Sequence, residues 1–461
     1  MIKGRTHYLA FNYFLLILFF GCSSSEKIIT DCYSVERFKR LSQPRFEAHV
    51  INLKPADSLI NKFQSRLDIY TQITWDRIRF IKQGENFEAD YSLFFNLKKN
   101  DSLITSKEVS KRPRTNNYEA TQKSVKDYHL QTFYADTGKY KVQIQLVDNI
   151  SGLSYNSLFT TEARNFSNQP TLSNGLFLEN VQGKLKPLFL NDIKFNDEVD
   201  TIIYYQELYN IKIGDSLKIV SEFLKRKELQ TINEPTRSSL YFDTSLCQLK
   251  FDNLVLKNEK LMIYPNSERM QLIDTFFVPI EQQYLFSRKI IYNSFKNYKD
   301  TLRSLGTLTI NNKNYPNLLN VNDSILATRY LLFKYEIDSL LAQDTNDKKR
   351  NWLKNWWREH GGIAKQNEFF DRVKDANLIF SSCDAGFKLP MGMVFIVCGL
   401  PGNVECVGMQ TEVWQYLINN QTFNITFKKT NLDEKTSYFN LQPFTIDESL
   451  WKYSVDTWRR K

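Results

Sequence analysis

Residues 87–97 read Phe-Glu-Ala-Asp-Tyr-Ser-Leu-Phe-Phe-Asn-Leu, with Phe87, Ala89, Tyr91, Leu93, Phe95 and Leu97 at every second position and mostly polar residues between them. Successive side chains of a strand point to opposite faces, so this period of two predicts a strand with one face buried. Tyr140, Val142, Ile144 and Leu146 repeat the pattern against Lys141, Gln143 and Gln145, just after the turn chemistry of Asp136-Thr137-Gly138. Ile78 and Phe80 begin an earlier strand. Residues 66–165 are therefore expected to form an antiparallel β-sandwich.

Toward the C-terminus, residues 165–175 are rich in Asn, Ser, Gly and Pro and read as a linker. A second β-rich domain is expected over 176–281, with strands near 201–205, 217–224, 246–256, 261–264 and 275–280. From Gln282 the period changes. Ile291, Phe295, Tyr298, Leu302 and Leu305 recur at intervals of four and three, which predicts a helix stopped by Gly306. Leu326, Tyr330, Phe333, Ile337 and Leu340 predict a second, with Asn322 or Asp323 as N-cap. Trp352 and Trp356 lie one turn apart on a third, ended by Gly361-Gly362, and Phe369, Val373, Ala376 and Phe380 mark a fourth. A compact β unit follows, with residues 394–398 as a strand, 399–402 as a turn, and 412–417 with 423–427 as a hairpin across Asn419-Asn420. Leu450, Val455 and Trp458 mark a closing amphipathic helix. The fold class is multidomain α+β: one or two antiparallel β-sandwich domains, a helical region, and a small C-terminal α+β unit, the last two within 282–461.

Toward the N-terminus, Lys3 and Arg5 precede an apolar run over residues 8–20, broken only by Asn12, and small Gly21 stands before Cys22. Basic start, short apolar core and small residue are the order of a signal peptide, expected over 1–21. The run is about 13 residues, whereas a membrane-spanning helix needs about 20. Ser23, Ser24 and Ser25 read as the start of a tether, so residues 22–65 are taken as tether and N-terminal segment.

The formal net charge is +10 over 461 residues. Its densest spots are Lys98-Lys99 and residues 225–227, 348–350 and 459–461, a thin spread typical of a solvated surface. A nucleic-acid binder would gather a basic stripe with base-reading motifs, and no nucleic-acid partner is expected. Besides Cys22 there are Cys32, Cys247, Cys383, Cys398 and Cys406. One disulfide among the last three is conceivable, and free buried thiols are the default. Without Cys-x-x-Cys or His-x-x-His spacing, no metal or other cofactor is expected.

Two stretches resemble known patterns. Leu18-Phe19-Phe20-Gly21-Cys22 resembles a bacterial lipobox, which implies lipid on Cys22. Further on, residues 352–358, Asn367-Glu368-Phe369, Arg372, Ala376-Asn377, Phe380, Gly386-Phe387-Lys388-Leu389-Pro390-Met391-Gly392, residues 394–399, Pro401 and Glu412-Val413-Trp414-Gln415-Tyr416 resemble the GWxTD domain of certain diderm-bacterial envelope lipoproteins. The resemblance carries the family-motif positions onto Gly386, Phe387, Lys388, Gly392, Gly399, Pro401, Glu412, Trp414 and Tyr416. The naming motif is degenerate. Its Trp, Thr, Asp and Arg positions are Phe387, Leu389, Pro390 and Met391, so a polar site built on them would have lost its hydrogen-bonding groups. Gly386 and Gly392 retain positive φ or close backbone approach as their use.

Other constellations yield less. Cys383, His360 and Asp384 have the residue types of a nucleophile system, but His360 ends a helix beside Gly361, where it complements the helix dipole. Glu368 and Asp371, three apart on one helix face, read as a solvated edge rather than paired catalytic acids. Gly399-Leu400-Pro401-Gly402 lacks the Lys-Ser/Thr of a phosphate loop and reads as a strand-ending turn. Trp357 lies off the Trp352/Trp356 stripe and is expected to be an exposed or interdomain aromatic. The expectation is an outer-membrane lipoprotein, facing periplasm or surface, held by lipid on Cys22. It would act with an envelope protein partner as a structural or interaction module, without catalytic residues. The alternative is a glycan-binding protein or hydrolase with a site between the C-terminal helices and β unit, where Glu368, Arg372 or Glu412 would line a pocket.

Overall fold

The computed structural model describes residues 45–460, apart from 60–61, 124, 167–168, 182, 190–200, 214, 227–250, 264–266, 268, 278–282, 294–298, 310–314, 319, 382–383, 408–409, 432–436 and 442–445. The leader, Cys22, Cys32, Cys247 and Cys383 lie outside the described residues. The architecture is antiparallel β over the N-terminal part, followed by helices and a C-terminal α+β region.

In the first domain, β1 (Phe46–Leu53), β2 (Ser65–Thr74) and β8 (Lys126–Ala135) make one sheet, in the order β1-β2-β8. A second sheet runs β10-β9-β5-β6, from β5 (Tyr91–Lys99), β6 (Ser102–Lys111), β9 (Gly138–Asp148) and β10 (Ser154–Ala163). A side sheet holds β3 (Phe80–Gln83), β4 (Asn86–Ala89) and β7 (Arg114–Thr115). The period of two works as read: Tyr91, Leu93, Phe95, Leu97, Val142, Ile144 and Leu146 are almost fully buried in one core with Leu67 and Ile69. Phe87 and Ala89 belong to β4, one strand earlier, because the chain passes from the side sheet to the second sheet at Asp90. Phe46 and Ala48 of β1 point into the same core. On the opposite face of β1, Ile51 and Leu53 pack against Leu176 and Leu178 of the second domain, and His49 stacks on Phe189 at 4.7 Å. The β1-β2-β8 sheet is thus covered on both sides.

The stretch read as a linker is folded onto the second domain. Phe166 is 1% exposed and packs edge-on against Tyr209, and Thr171–Leu172 forms β11. The Asn210 amide donates to the carbonyls of Phe166 and Gln169. Turn residues here satisfy backbone groups locally rather than leaving the chain loose. The second domain is a sandwich. One sheet holds β11, β12 (Leu176–Val181), β13 (Lys184–Pro187), β14 (Thr201–Tyr209) and β17 (Arg269–Phe277), and the other runs β16-β15-β18-β19. The latter comprises β15 (Ser216–Arg226), β16 (Phe251–Ile263), β18 (Gln283–Asn293) and β19 (Lys299–Thr309). The helix expected from Ile291 to Leu305 is therefore a β-hairpin. Ile290 faces Leu302 across it, and both pack in the sandwich core. Of the residues in that four-and-three spacing, Ile291 lies on β18 and Leu302 and Leu305 on β19, while Phe295 and Tyr298 fall outside the described residues.

Apart from a single-turn helix at Tyr118–Thr121 in the first domain, the helical region opens with α1 (Val321–Thr328), capped by Asn320, whose Oδ1 accepts from the Asp323 N–H, rather than by Asn322 or Asp323. The single helix expected over 326–340 is broken by a 3₁₀ turn, Arg329–Leu331, before α2 (Lys334–Leu341). The long helices are α3 (Asn346–His360) and α4 (Gly362–Phe380), as the Trp and Phe stripes predicted. Residues 394–398 are not a strand. They close α5 (Pro390–Cys398), which carries Pro at its first turn and is buried on all sides. A short all-apolar run has no period to distinguish strand from buried helix, and Pro390 starts the helix. The last sheet runs β20-β21-β22-β23, from β20 (Asn403–Val407), β21 (Thr411–Ile418), β22 (Gln421–Asn431) and β23 (Ser437–Leu441). Its central hairpin turns at Asn419 and Asn420, both at positive φ. The closing helix is α6 (Glu448–Arg459), with Leu450, Val455 and Trp458 buried.

Candidate functional site

The family-motif residues gather where α4, α5 and β21 meet. Gly386–Lys388 is a 3₁₀ turn lying against the end of α4. A Cβ on Gly386 would stand 1.9 Å from the Ala376 carbonyl oxygen, and one on Gly392 would stand 1.9 Å from the Gly386 carbonyl oxygen. Of the two uses foreseen for these glycines, close approach is the one realised: three backbone segments cross in contact, without room for a side chain. Phe387, Leu389 and Met391 are at most 4% exposed and Pro390 is buried, so the degenerate positions are packed apolar groups.

The polar groups holding the crossing come from elsewhere. Asn377, 3% exposed, accepts the Phe387 N–H on Oδ1 at 3.1 Å and donates from Nδ2 to the Pro316 carbonyl at 2.8 Å. Ser381 Oγ accepts the Gly386 N–H at 2.8 Å, and the Tyr330 hydroxyl donates to the Phe387 carbonyl at 2.8 Å. Burial pushes the Tyr330 phenol up to about 12, so it remains a donor across ordinary pH. Lys388 reaches outward to Asp384 at 3.5 Å.

Gly399, at φ 80°, ends α5, and its carbonyl accepts the Tyr416 hydroxyl at 3.0 Å, while Pro401 is buried beyond it. The Trp414 ring is fully buried between Phe380, at 5.6 Å, and Phe427, at 4.8 Å. Its indole N–H donates to Glu412 Oε1 at 2.9 Å. Glu412, 1% exposed, also receives Arg45 Nη2 at 2.7 and 3.1 Å. Burial opposes the Arg45 charge, but the Glu412 carboxylate beside it leaves its pKa raised.

The expected pocket residues do not converge. Glu368 is exposed and pairs with Arg372 at 2.7 Å, as a solvated edge should. The Arg372 guanidinium lies 4.7 Å over the Trp458 ring, while Glu412 is engaged by Arg45. The contact between α4 and β21, where the alternative site was expected, is apolar. His360 Nδ1 donates to the Trp356 carbonyl at 3.0 Å, and its ring stacks on Trp356. Trp357 is wholly buried against Phe369, contrary to the expected exposure, because α3 buries a face wide enough to hold Leu353, Trp356 and Trp357 together. Cys398 and Cys406 are free thiols, each pushed up to about 12 by burial.

Sequence reading missed Asn377 as the hub and Arg45 as the partner of Glu412. For Asn377 a signal existed: it stands four residues after Val373, a polar residue on a buried helical face. Nothing in the sequence joins Arg45 to Glu412.

Fold and site define a tandem β-sandwich protein closed by a small α+β domain built around a glycine crossing. Residues 292–460 match the model of the GWxTD domain, so this chain carries a GWxTD domain. No curated protein matches the chain. Among solved structures, red sea bream transglutaminase aligns at 10% identity over 58% of this chain and 32% of its own, with a TM-score of 0.17. The fibronectin(III)-like modules of Clostridium thermocellum CbhA align at 10% identity over 55% of this chain and 90% of theirs, with a TM-score of 0.15. The chain spans about a third of the transglutaminase's length. Neither likeness, at these TM-scores, supplies an argument about this protein.

Proposed function

We propose that this protein is a membrane-anchored envelope lipoprotein, held by lipid on Cys22, whose body is a structural or protein-interaction module rather than a catalyst. The observation that carries the module reading is the filling of positions 387 and 389–391 by buried apolar side chains around a glycine crossing. Those positions join helices; they present no nucleophile, acid or base. The address is supported by Lys3 and Arg5, the apolar run 8–20 and small Gly21 before Cys22. Ser23 after the cysteine favours the outer membrane over retention at the inner one. The partner is an envelope protein.

Crosslinking the tagged full chain in intact cells, followed by purification, tests the module reading. A reproducible envelope protein partner is expected, together with no turnover of envelope glycan by the purified chain. A chain that stays alone while hydrolysing that glycan would overturn the proposal.

A further inference from the structure

Glu412 is buried in the last sheet, yet its counter-charge comes from the other end of the body. Arg45 immediately precedes β1, and its Nη2 straddles both Glu412 oxygens at 2.7 and 3.1 Å. A second contact runs alongside: Lys429 Nζ of β22 donates to Ser157 Oγ of β10 at 3.0 Å and lies 5.9 Å over the Tyr155 ring. Tyr155 packs edge-on to Phe46, the residue after Arg45, at 5.5 Å. Both contacts therefore join one end of the first sandwich to the C-terminal sheet.

The Trp414 indole needs only an acceptor oxygen, which a glutamine would supply equally. A buried carboxylate costs desolvation energy that a neutral amide avoids, so its charge is useful only toward a cation. We propose that Glu412, oriented by Trp414, is an arginine socket, and that Arg45 filling it latches the GWxTD domain onto the first sandwich where the chain enters the body. The latch stands whether or not Cys22 carries lipid. It fixes the family's Glu-x-Trp-x-Tyr strand as an intramolecular docking surface.

The test is a cycle in the full chain, comparing Arg45→Gln, Glu412→Gln and the double variant by amide hydrogen exchange. Each single change should speed exchange about tenfold or more at the start of β1 and in β20–β21, while near-UV circular dichroism of the Trp-rich domain stays native. The effect of the double variant should fall well short of the two single effects combined, because the Arg45–Glu412 pair is lost in each. Unchanged exchange in the single variants, effects that multiply as if independent, or loss of the Trp signal in Glu412→Gln would each overturn the latch.

Discussion

At the residue scale, the constraint falls on two glycines and one asparagine. Gly392 and Gly386 each leave space smaller than a methyl group, and the obstructing atoms are backbone oxygens that cannot swing aside. Gly392→Ala should therefore destabilise the C-terminal domain by about 3 kcal/mol or more, since a helix crossing must move as a unit. Six of the seven tryptophans lie in this domain and Trp75 in the first sandwich, so the near-UV signal in a denaturant titration is weighted toward this domain. A wild-type midpoint would show that the crossing relaxes freely. The glycines could be picked out in the sequence because they survive where the polar motif residues do not. Their geometric partner could not: Ala376 contributes a carbonyl oxygen, and no side-chain pattern reports where a backbone oxygen lies.

At the element scale, α2 and α6 are tied by a buried ion pair. Arg459 Nη1 and Nη2 each donate to a Glu336 oxygen at 2.8 Å, and the carboxylate also accepts from the Trp356 indole and the Phe333 N–H. Burial alone would raise the Glu336 pKa. The donors from Arg459, Phe333 and Trp356 outweigh it, and the carboxyl stays below its ordinary 4.5. A depressed folded-state pKa favours folding above the unfolded value, and that stability is lost as pH falls through the lower, folded one. Glu336→Gln should cost about 3 kcal/mol at pH 7 by leaving Arg459 unmatched. It should also flatten the acid limb of the domain's stability below about pH 4.5. Stability measured against pH in both proteins checks this, and an unchanged acid limb would count against the pair. Long elements with a steady period, such as β5, β9, α3 and α4, were legible. Elements whose identity depends on what covers them were not: α5 is apolar on every side, and Ile291 of β18 with Leu302 and Leu305 of β19 mimicked helical spacing.

At the scale of the whole molecule, domains that composition suggested were joined by a loose linker are docked. The β1-β2-β8 sheet is shared, with one face toward Phe46, Leu67 and Ile69 and the other toward Leu176 and Leu178. Arg45 and Lys429 bring the GWxTD domain back to the same sandwich. Such closure depends on contacts hundreds of residues apart, beyond the reach of local pattern. In the proposed arrangement the chain enters the body at β1 from the N-terminal side that carries Cys22, which puts the Arg45–Glu412 latch at the anchored end. Everything in that placement depends on Cys22. Metabolic labelling with a clickable fatty acid, followed by membrane fractionation of wild type and Cys22→Ser, tests it most directly. The account predicts a labelled, membrane-bound wild type and an unlabelled variant released from the membrane; an unlabelled, soluble wild type, or a variant that keeps its label, would contradict it.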